Sequence, residues 1–193
     1  MTEPAEERLH ISPYDPDWPA QFNRERDLLW RAIGTWIVGD IHHVGSTAVP
    51  GLDAKPIIDL LVGVEDLAIS RACFEPLAEL EYLYAPYLPE EMHWFCKPDP
   101  SRRTHHLHLV PRNLPRYRDE LAFRDCLRSE PEKARDYAEL KHQLAARFEY
   151  DREGYTNAKA DFIERTLREG ETNADPGARS DAIVMQRCTR TQP

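Results

Sequence analysis

The segment Ile57-Ile58-Asp59-Leu60-Leu61-Val62 constrains the fold more than any other part of the sequence. Its apolar residues are almost continuous, which is typical of a central β-strand that is buried on both faces. Asp59 interrupts the run, and a buried carboxylate is costly unless a cation or a hydrogen-bond donor faces it. The segment therefore predicts a central strand with a metal or a basic partner at Asp59. The structural alternative is a strand-edge aspartate that accepts backbone N–H bonds.

Hydrophobic periodicity predicts an α+β fold, with a mixed sheet, flanking helices and a C-terminal helical bundle. We predict strands over residues 40–44, 56–62, 81–84, 92–97 and 104–110, and helices over 20–33, 65–80, 117–128, 131–148 and 155–168. Beyond residue 170 the sequence is polar, with few large apolar residues. We therefore expect one domain over residues 1–170 and a polar, flexible tail over 171–193.

Charge and composition exclude several classes of protein. The 25 basic and 34 acidic residues give a net charge of −9, so nucleic-acid binding through a basic face is not expected. No apolar run approaches the ~20 residues of a membrane helix, and the acidic N-terminal segment does not resemble a secretory signal. The four cysteines have no short spacing, which indicates reduced thiols. We therefore expect a cytoplasmic protein.

The strand that ends at Val44 leads into Gly45-Ser46, the strongest local motif. Glycine lets the backbone approach a ligand closely, so backbone N–H groups and the Ser46 hydroxyl of such a turn can bind a phosphate. The motif therefore predicts an anion-binding turn, close in sequence to the strand that carries Asp59.

His106 and His108 alternate along the predicted strand 104–110 and therefore share one face, whereas His105 lies on the other and is expected to be structural. If this strand lies beside the Asp59 strand, the three side chains form a two-histidine, one-carboxylate set. Imidazole ligands suit manganese, iron or zinc better than magnesium. The alternative is that both histidines hydrogen-bond a substrate or the backbone without a metal.

Seven blocks of sequence resemble the GrpB family, which is related to the nucleotidyltransferase superfamily of polymerase-beta-like proteins. The blocks are Pro13-Tyr-Asp-Pro-Asp-Trp18, His43-Val-Gly-Ser-Thr-Ala-Val-Pro-Gly-Leu52, Ala54-Lys-Pro-Ile-Ile-Asp59, His106-Leu-His108, Phe123-Arg-Asp-Cys-Leu-Arg128, Tyr137-Ala-Glu-Leu-Lys141 and Tyr155-Thr-Asn-Ala-Lys159. The resemblance covers about residues 8 to 168. It implies a nucleotidyltransferase-like sheet, and it places Lys141 and Lys159 inside family motifs.

Superfamily members follow the Gly-Ser turn with two carboxylates on the next strand, and these hold two magnesium ions. Gly45, Ser46 and Asp59 match this pattern, but Leu61 stands where the second carboxylate is expected. The resemblance implies a possible transferase with Asp59, Ser46 and His108 as catalytic residues.

A divalent metal (magnesium, manganese or zinc) would be held by Asp59, His106 and His108. The predicted substrate-binding residues are Gly45, Ser46, Lys55, Arg124, Lys141 and Lys159. Arg128 is expected to form a salt bridge instead. The expected partner is a nucleotide or another phosphorylated small molecule. GrpB-like domains also occur fused to dephospho-coenzyme A kinase, which implies a link to coenzyme A metabolism. Because of Leu61, the alternative is a module that binds such a ligand without catalysis.

Overall fold

A computed structural model of the chain describes residues 8–174 as a five-stranded mixed sheet packed against helices. The strands are β1 (Ile41–Val44), β2 (Ile58–Val64), β3 (Leu83–Tyr84), β4 (His93–Pro98) and β5 (Arg103–Pro111). The helices are α1 (Trp18–Ile33), α2 (Phe74–Glu79), α3 (Pro115–Ser129), α4 (Pro131–Arg147), α5 (Arg152–Asn157) and α6 (Ala160–Ala174). The predicted α+β class with a mixed sheet is confirmed.

The sheet order is β1-β2-β5-β4-β3, which places β2 between β1 and β5. The β2–β5 pair is parallel, and the other neighbours are antiparallel. Residues Ile58, Leu60 and Val62 of β2 point to one face, where they pack with Leu29 and Ile33 of α1. The apolar run therefore builds a strand covered on both faces, as predicted.

The opposite face of the sheet carries the candidate site. There Leu61 is fully buried beside Val44, Val110 and Tyr117, so apolar residues fill the part of this face near the C-terminal end of β2. Helices α3 to α6 pack onto one another, with Phe123, Tyr137 and Phe162 in aromatic contact, at ring-centroid distances of 5.2 and 5.1 Å. These four helices form the predicted C-terminal bundle.

Two predicted helices are divided in the structure. The segment 65–80 forms a 3₁₀ turn (Ile69–Cys73) followed by α2, because the Asp66 side chain accepts a hydrogen bond from the Ile69 backbone at 2.7 Å and favours a local turn. The segment 155–168 forms α5 and α6, with the break at Ala158 and Lys159. Asp151 caps α5 through the Gly154 amide, so α5 begins before the predicted start.

Helix α6 ends at Ala174, four residues into the segment predicted as a tail, and the remainder of that segment lies outside the described residues. Within residues 8–174 no helix has the length and apolar character needed to cross a bilayer. Cys73, Cys96 and Cys126 are free thiols, while Cys188 lies outside the described part of the chain.

Candidate functional site

Asp59 lies in the middle of three neighbouring strands. Its register partners are Val44 on β1 and His106 on β5, so the predicted adjacency of the Asp59 and His106 strands is confirmed. Asp59 Oδ1 lies 2.9 Å from His106 Nδ1, and the two side chains are 23% and 17% exposed. The pair is therefore partly open to solvent on the face opposite α1.

Gly45 directly follows β1, and its Cα is in close contact with the Asp59 carboxylate. Its φ of +69° is in the left-handed region that favours glycine, and a Cβ at this position would lie 2.9 Å from Asp59 Cγ. Ser46 follows as the first residue of a short 3₁₀ turn, Ser46–Ala48. The sequence-predicted Gly45-Ser46 turn and Asp59 thus meet at one place.

The two histidines of β5 contact different carboxylates. His108 Nδ1 lies 3.0 Å from Glu120 Oε2 on α3, whereas His106 bonds to Asp59. Burial lowers the pKa of His106, and Asp59 opposes this effect only in part. Burial also lowers the pKa of His108, but the Glu120 and Asp59 carboxylates together outweigh burial, and the net pKa is raised. At Asp59 burial raises the pKa of the carboxyl, but the hydrogen bond from His106 and the charges of the nearby histidines together outweigh burial and lower that pKa.

The structure does not assemble Asp59, His106 and His108 as a metal-binding group. Within residues 8–174, no cluster of three or more histidine, cysteine, aspartate or glutamate side chains is arranged to hold an ion. The two Nδ1 atoms face separate carboxylates, Asp59 and Glu120, so each histidine could ligate an ion only through its Nε2 atom. Metal binding by Asp59, His106 and His108 therefore stays a prediction.

Three lysines surround this face, and we call Lys55, Lys141 and Lys159 the lysine cluster. The Nζ atoms of Lys55 and Lys159 lie 4.2 and 4.4 Å from the centroid of the same Tyr155 ring. Lys141 is buried, donates a hydrogen bond to the Asp53 carbonyl, and lies 4.9 Å from the Tyr137 ring. Contacts of this kind between a cation and a ring are attractive.

All three lysines of the lysine cluster have lowered pKa values. Burial, followed by the charges of Lys159, Arg152 and Arg103, lowers the pKa of Lys55 to about 7. Burial and Lys159 lower the pKa of Lys141 to about 7, and burial lowers that of Lys159 to about 8. Among residues 8–170, no ion pair joins Lys55 or Lys159 to a carboxylate. The site is therefore a cluster of lysines beside Asp59, whose charge favours the protonated forms of Lys55 and Lys159 without forming an ion pair with either.

Comparison with known proteins shows the family to which this chain belongs. A family model described as GrpB protein matches residues 8–169. The chain belongs to the GrpB family. It is 41% identical to a UPF0157 protein of Pseudomonas aeruginosa over 167 residues, which are 84% of this chain and 67% of that protein. It is 35% identical to the glutamate-rich protein GrpB of Alkalihalophilus pseudofirmus, covering 81% of this chain and 92% of that protein.

A solved structure and a longer relative extend the comparison. The crystal structure of the conserved protein GrpB from Enterococcus faecalis superposes with a TM-score of 0.77 at 31% identity, covering 86% of this chain and 99% of that one. A dephospho-CoA kinase of Mycolicibacterium paratuberculosis is 28% identical over 186 residues, with 83% of this chain and 45% of the kinase covered. The GrpB-family chain therefore matches less than half of that kinase.

Arg124 and Arg128 donate hydrogen bonds to backbone carbonyls on either side of the Gly45-Ser46 turn. Arg124 Nη1 donates to the His43 carbonyl at 3.1 Å, while its other nitrogens bond Asp125. Arg128 donates twice to the Ala48 carbonyl, at 2.9 and 2.8 Å, with Asp125 farther away at 3.8 Å. The guanidinium of Arg124, predicted to bind substrate, is therefore already engaged by the His43 carbonyl and Asp125. The salt bridge expected of Arg128 is present with Asp125, but it is longer than the two hydrogen bonds from Arg128 to Ala48.

Glu120, Tyr137 and Tyr155 are not among the site residues predicted from the sequence. A signal for the two tyrosines was present, because Tyr137 and Lys141, like Tyr155 and Lys159, are four residues apart. Residues at this spacing are neighbours on a helix surface. Glu120 carried no comparable local signal for a contact with β5.

The lysine cluster predicts an unusual pH dependence of stability. The folded-state pKa values of about 7 to 8 lie below the lysine reference of roughly 10.4, so the unfolded chain binds more protons at intermediate pH. We expect the free energy of unfolding to rise between about pH 7.5 and pH 9.

Urea titrations across this range provide the measurement. Lys159→Met should flatten the rise, whereas Lys133→Met, which removes a lysine paired with Glu130 and Glu169, should preserve it. A wild-type stability that falls over the same range would contradict the prediction.

Proposed function

We propose that this protein binds a nucleotide or another phosphorylated small molecule at the lysine cluster, in front of Asp59. The observation that carries the proposal is that Lys55 and Lys159 share the Tyr155 ring without a paired carboxylate among residues 8–170. Like charges held together in a partly desolvated site are costly, and a bound anion removes that cost. Phosphate oxygens accept several charge-assisted hydrogen bonds at once.

The Asp59 carboxylate limits how the ligand lies. Because it is beside Gly45, a phosphate bound directly on the Gly45-Ser46 turn would face a negative charge. A phosphate that contacts Lys55 and Lys159 avoids this repulsion, and it leaves the remainder of the ligand to extend toward Asp59 and Ser46. We therefore propose that the anion binds at the lysine cluster and not at the Gly45-Ser46 turn, where the sequence predicts it.

Nucleotidyl transfer is the second candidate function, and the contact of Gly45 with Asp59 favours it. In that case Asp59 is the carboxylate nearest to the reacting groups, and Ser46 lies beside it at the turn. Against transfer, Leu61 is fully buried among Val44 and Val110, where a second carboxylate would be unfavourable. Binding without transfer is consequently the better supported function.

Calorimetry tests binding with ATP, adenosine, inorganic triphosphate and dephospho-coenzyme A as probes, the last because some relatives are named dephospho-CoA kinases. We expect the phosphorylated probes to bind and adenosine to bind much more weakly, with affinity falling as salt is raised. Lys159→Met should weaken binding ~10- to 100-fold, since a hydrogen bond to a charged group contributes ~1.5–3 kcal/mol.

Lys133→Met is the matched control, because this lysine already pairs with Glu130 and Glu169 on the helical side of the molecule. Its affinity should equal that of the wild type. Equal affinity of Lys159→Met and wild type, or no binding of any phosphorylated probe, would refute the proposed site. Release of pyrophosphate from ATP would favour the transfer candidate instead.

A further inference from the structure

The two oxygens of the Asp59 carboxylate differ in their hydrogen bonding. Oδ1 accepts a hydrogen bond from His106 Nδ1 at 2.9 Å, whereas no group within residues 8–174 donates to Oδ2. The side chain is 23% exposed, and Oδ2 is not among the buried atoms without a partner, so this oxygen faces solvent. Asp59 therefore presents a fixed and open acceptor on the face of the sheet opposite α1.

His106 holds this carboxylate in place and brings no second donor to it. Because an ionised carboxylate can only accept hydrogen bonds, Nδ1 carries the proton, and Nε2 of the neutral ring is then an acceptor as well. Nε2 is buried and has no partner in the described part of the chain. The Asp59–His106 pair thus offers acceptors, and a ligand in front of it has to supply the donor.

The charges around Asp59 determine which kind of donor fits. Lys55 and Lys159 lie near enough for Asp59 to favour their protonated forms, and His108 on the neighbouring strand is influenced in the same way. A ligand ammonium placed at Oδ2 would be repelled by these cations, and a phosphate placed there would be repelled by Asp59 itself. A hydroxyl group is a neutral donor, so it avoids both kinds of repulsion.

We propose that Asp59 Oδ2 accepts a hydrogen bond from a sugar hydroxyl of the ligand whose phosphate lies at the lysine cluster. This inference rests on the proposed function for the phosphate, and it narrows the ligand to phosphorylated sugars and nucleotides with a free sugar hydroxyl. A carboxylate that accepts from a ribose hydroxyl recognises such ligands in other folds. Asp59 is then the residue that determines specificity for the sugar, while Lys159 contacts the phosphate.

Two nearby carboxylates suit this role less well. Glu120 lies 3.2 and 3.0 Å from His108 Nδ1 through its two oxygens, so both are already engaged. The Asp53 carboxylate bonds to His142 Nε2 at 2.9 Å through Oδ2, and both of these side chains are well exposed. Asp59 combines partial burial with an oxygen that accepts no hydrogen bond from residues 8–174.

Calorimetry on the wild-type protein tests the inference with ATP, 2′-deoxy-ATP and 2′,3′-dideoxy-ATP in the presence of EDTA. These probes share the base and the triphosphate and differ only in their sugar hydroxyls. We expect ATP to bind ~10- to 100-fold more tightly than dideoxy-ATP, because a hydrogen bond to a charged group is lost. The affinity of 2′-deoxy-ATP then shows which of the two hydroxyls Asp59 contacts.

The same series separates this inference from the proposed function. Equal affinities of ATP and dideoxy-ATP, both weakened by Lys159→Met, would overturn the sugar contact and leave the phosphate site in place. No binding of either nucleotide would refute both. A preference for ATP that appears only when Mg²⁺ replaces EDTA would also overturn the direct contact, since an ion would then join the sugar to Asp59.

Asp59→Asn tests the role of the carboxylate with little change in side-chain size. The preference for ATP over dideoxy-ATP should fall severalfold, whereas inorganic triphosphate should bind at least as tightly, because a negative charge near the lysine cluster is removed. Loss of folding cannot produce these opposite effects. Asp27→Asn, which changes an exposed carboxylate on α1, should keep the wild-type preference. An unchanged preference in Asp59→Asn would show that another group contacts the sugar.

Discussion

Gly45→Ala is expected to lower the free energy of unfolding by about 3 kcal/mol, through two separate effects. An alanine at the observed φ of +69° and ψ of −173°, a backbone region essentially restricted to glycine, is strained by ~1–3 kcal/mol. Its Cβ would also overlap Asp59, and overpacking of this kind costs ~1–3 kcal/mol. Urea unfolding monitored by circular dichroism measures the change, and the Asp59–His106 pair should be displaced in the folded variant.

Gly51→Ala is the matched control, because Gly51 has a similar φ of +77° but nothing within 4 Å of an added Cβ. It should therefore show the backbone strain alone, about 1 kcal/mol. The double variant Gly45→Ala/Asp59→Ala removes the overlap and should recover most of the difference. If Gly45→Ala is no less stable than Gly51→Ala, the close approach of Gly45 and Asp59 is wrong.

The strands whose local sequence pattern is strong are the ones that the sequence predicts well. The run around Asp59 fixes a doubly covered strand, and alternation fixes which side of β5 carries His106 and His108. Together, these two patterns leave only a few side chains that could contact Asp59. The parallel pairing of β2 with β5 then follows from the fold as a whole, since local sequence does not encode strand order.

The predicted metal set shows what alternation leaves open. It places His106 and His108 on one side of β5, but it does not determine which group each ring nitrogen faces. Glu120 reaches His108 from α3, twelve residues later in the sequence, because that helix crosses the same side of the sheet. A partner supplied by helix packing could not be identified from strand periodicity.

Only part of the lysine cluster could be predicted from the sequence. The four-residue spacing of Tyr155 and Lys159 indicates a local contact, which the break between α5 and α6 preserves. Lys55 reaches the same ring from a loop a hundred residues earlier in the sequence, so the tertiary fold creates that contact. The concentration of lysine side chains at the site therefore arises from this long-range contact rather than from any motif.

Glu25 gives the clearest case of tertiary packing overriding a polar pattern. It stands in a run of four charged residues, 24–27, and charged side chains are rarely buried. In the structure its carboxylate is 6% exposed and pairs at 2.8 Å with Lys97, which is 14% exposed. His105 Nε2 lies 3.9 Å from Glu25 Oε2, on the face of the sheet opposite to Asp59. The sequence predicts this face and a structural role for His105.

Glu25→Leu is expected to lower the free energy of unfolding by ~3–5 kcal/mol, because it leaves Lys97 partly buried without its partner. Lys97 also lies 5.2 Å from the buried Tyr82 ring, a contact that does not replace the lost charge. Asp27→Leu, on the same helix but with an exposed carboxylate, should change stability by less than about 1 kcal/mol.

The double variant Glu25→Leu/Lys97→Met decides whether the loss comes from the unpaired ammonium. Replacing a buried ion pair by apolar groups of similar size is often close to neutral, so the double variant should recover most of the stability. Urea unfolding of the four proteins in this cycle then gives a large coupling energy between the two positions. Additive losses would show instead that Glu25 contributes by packing, and that Lys97 is solvated well enough to remain unpaired.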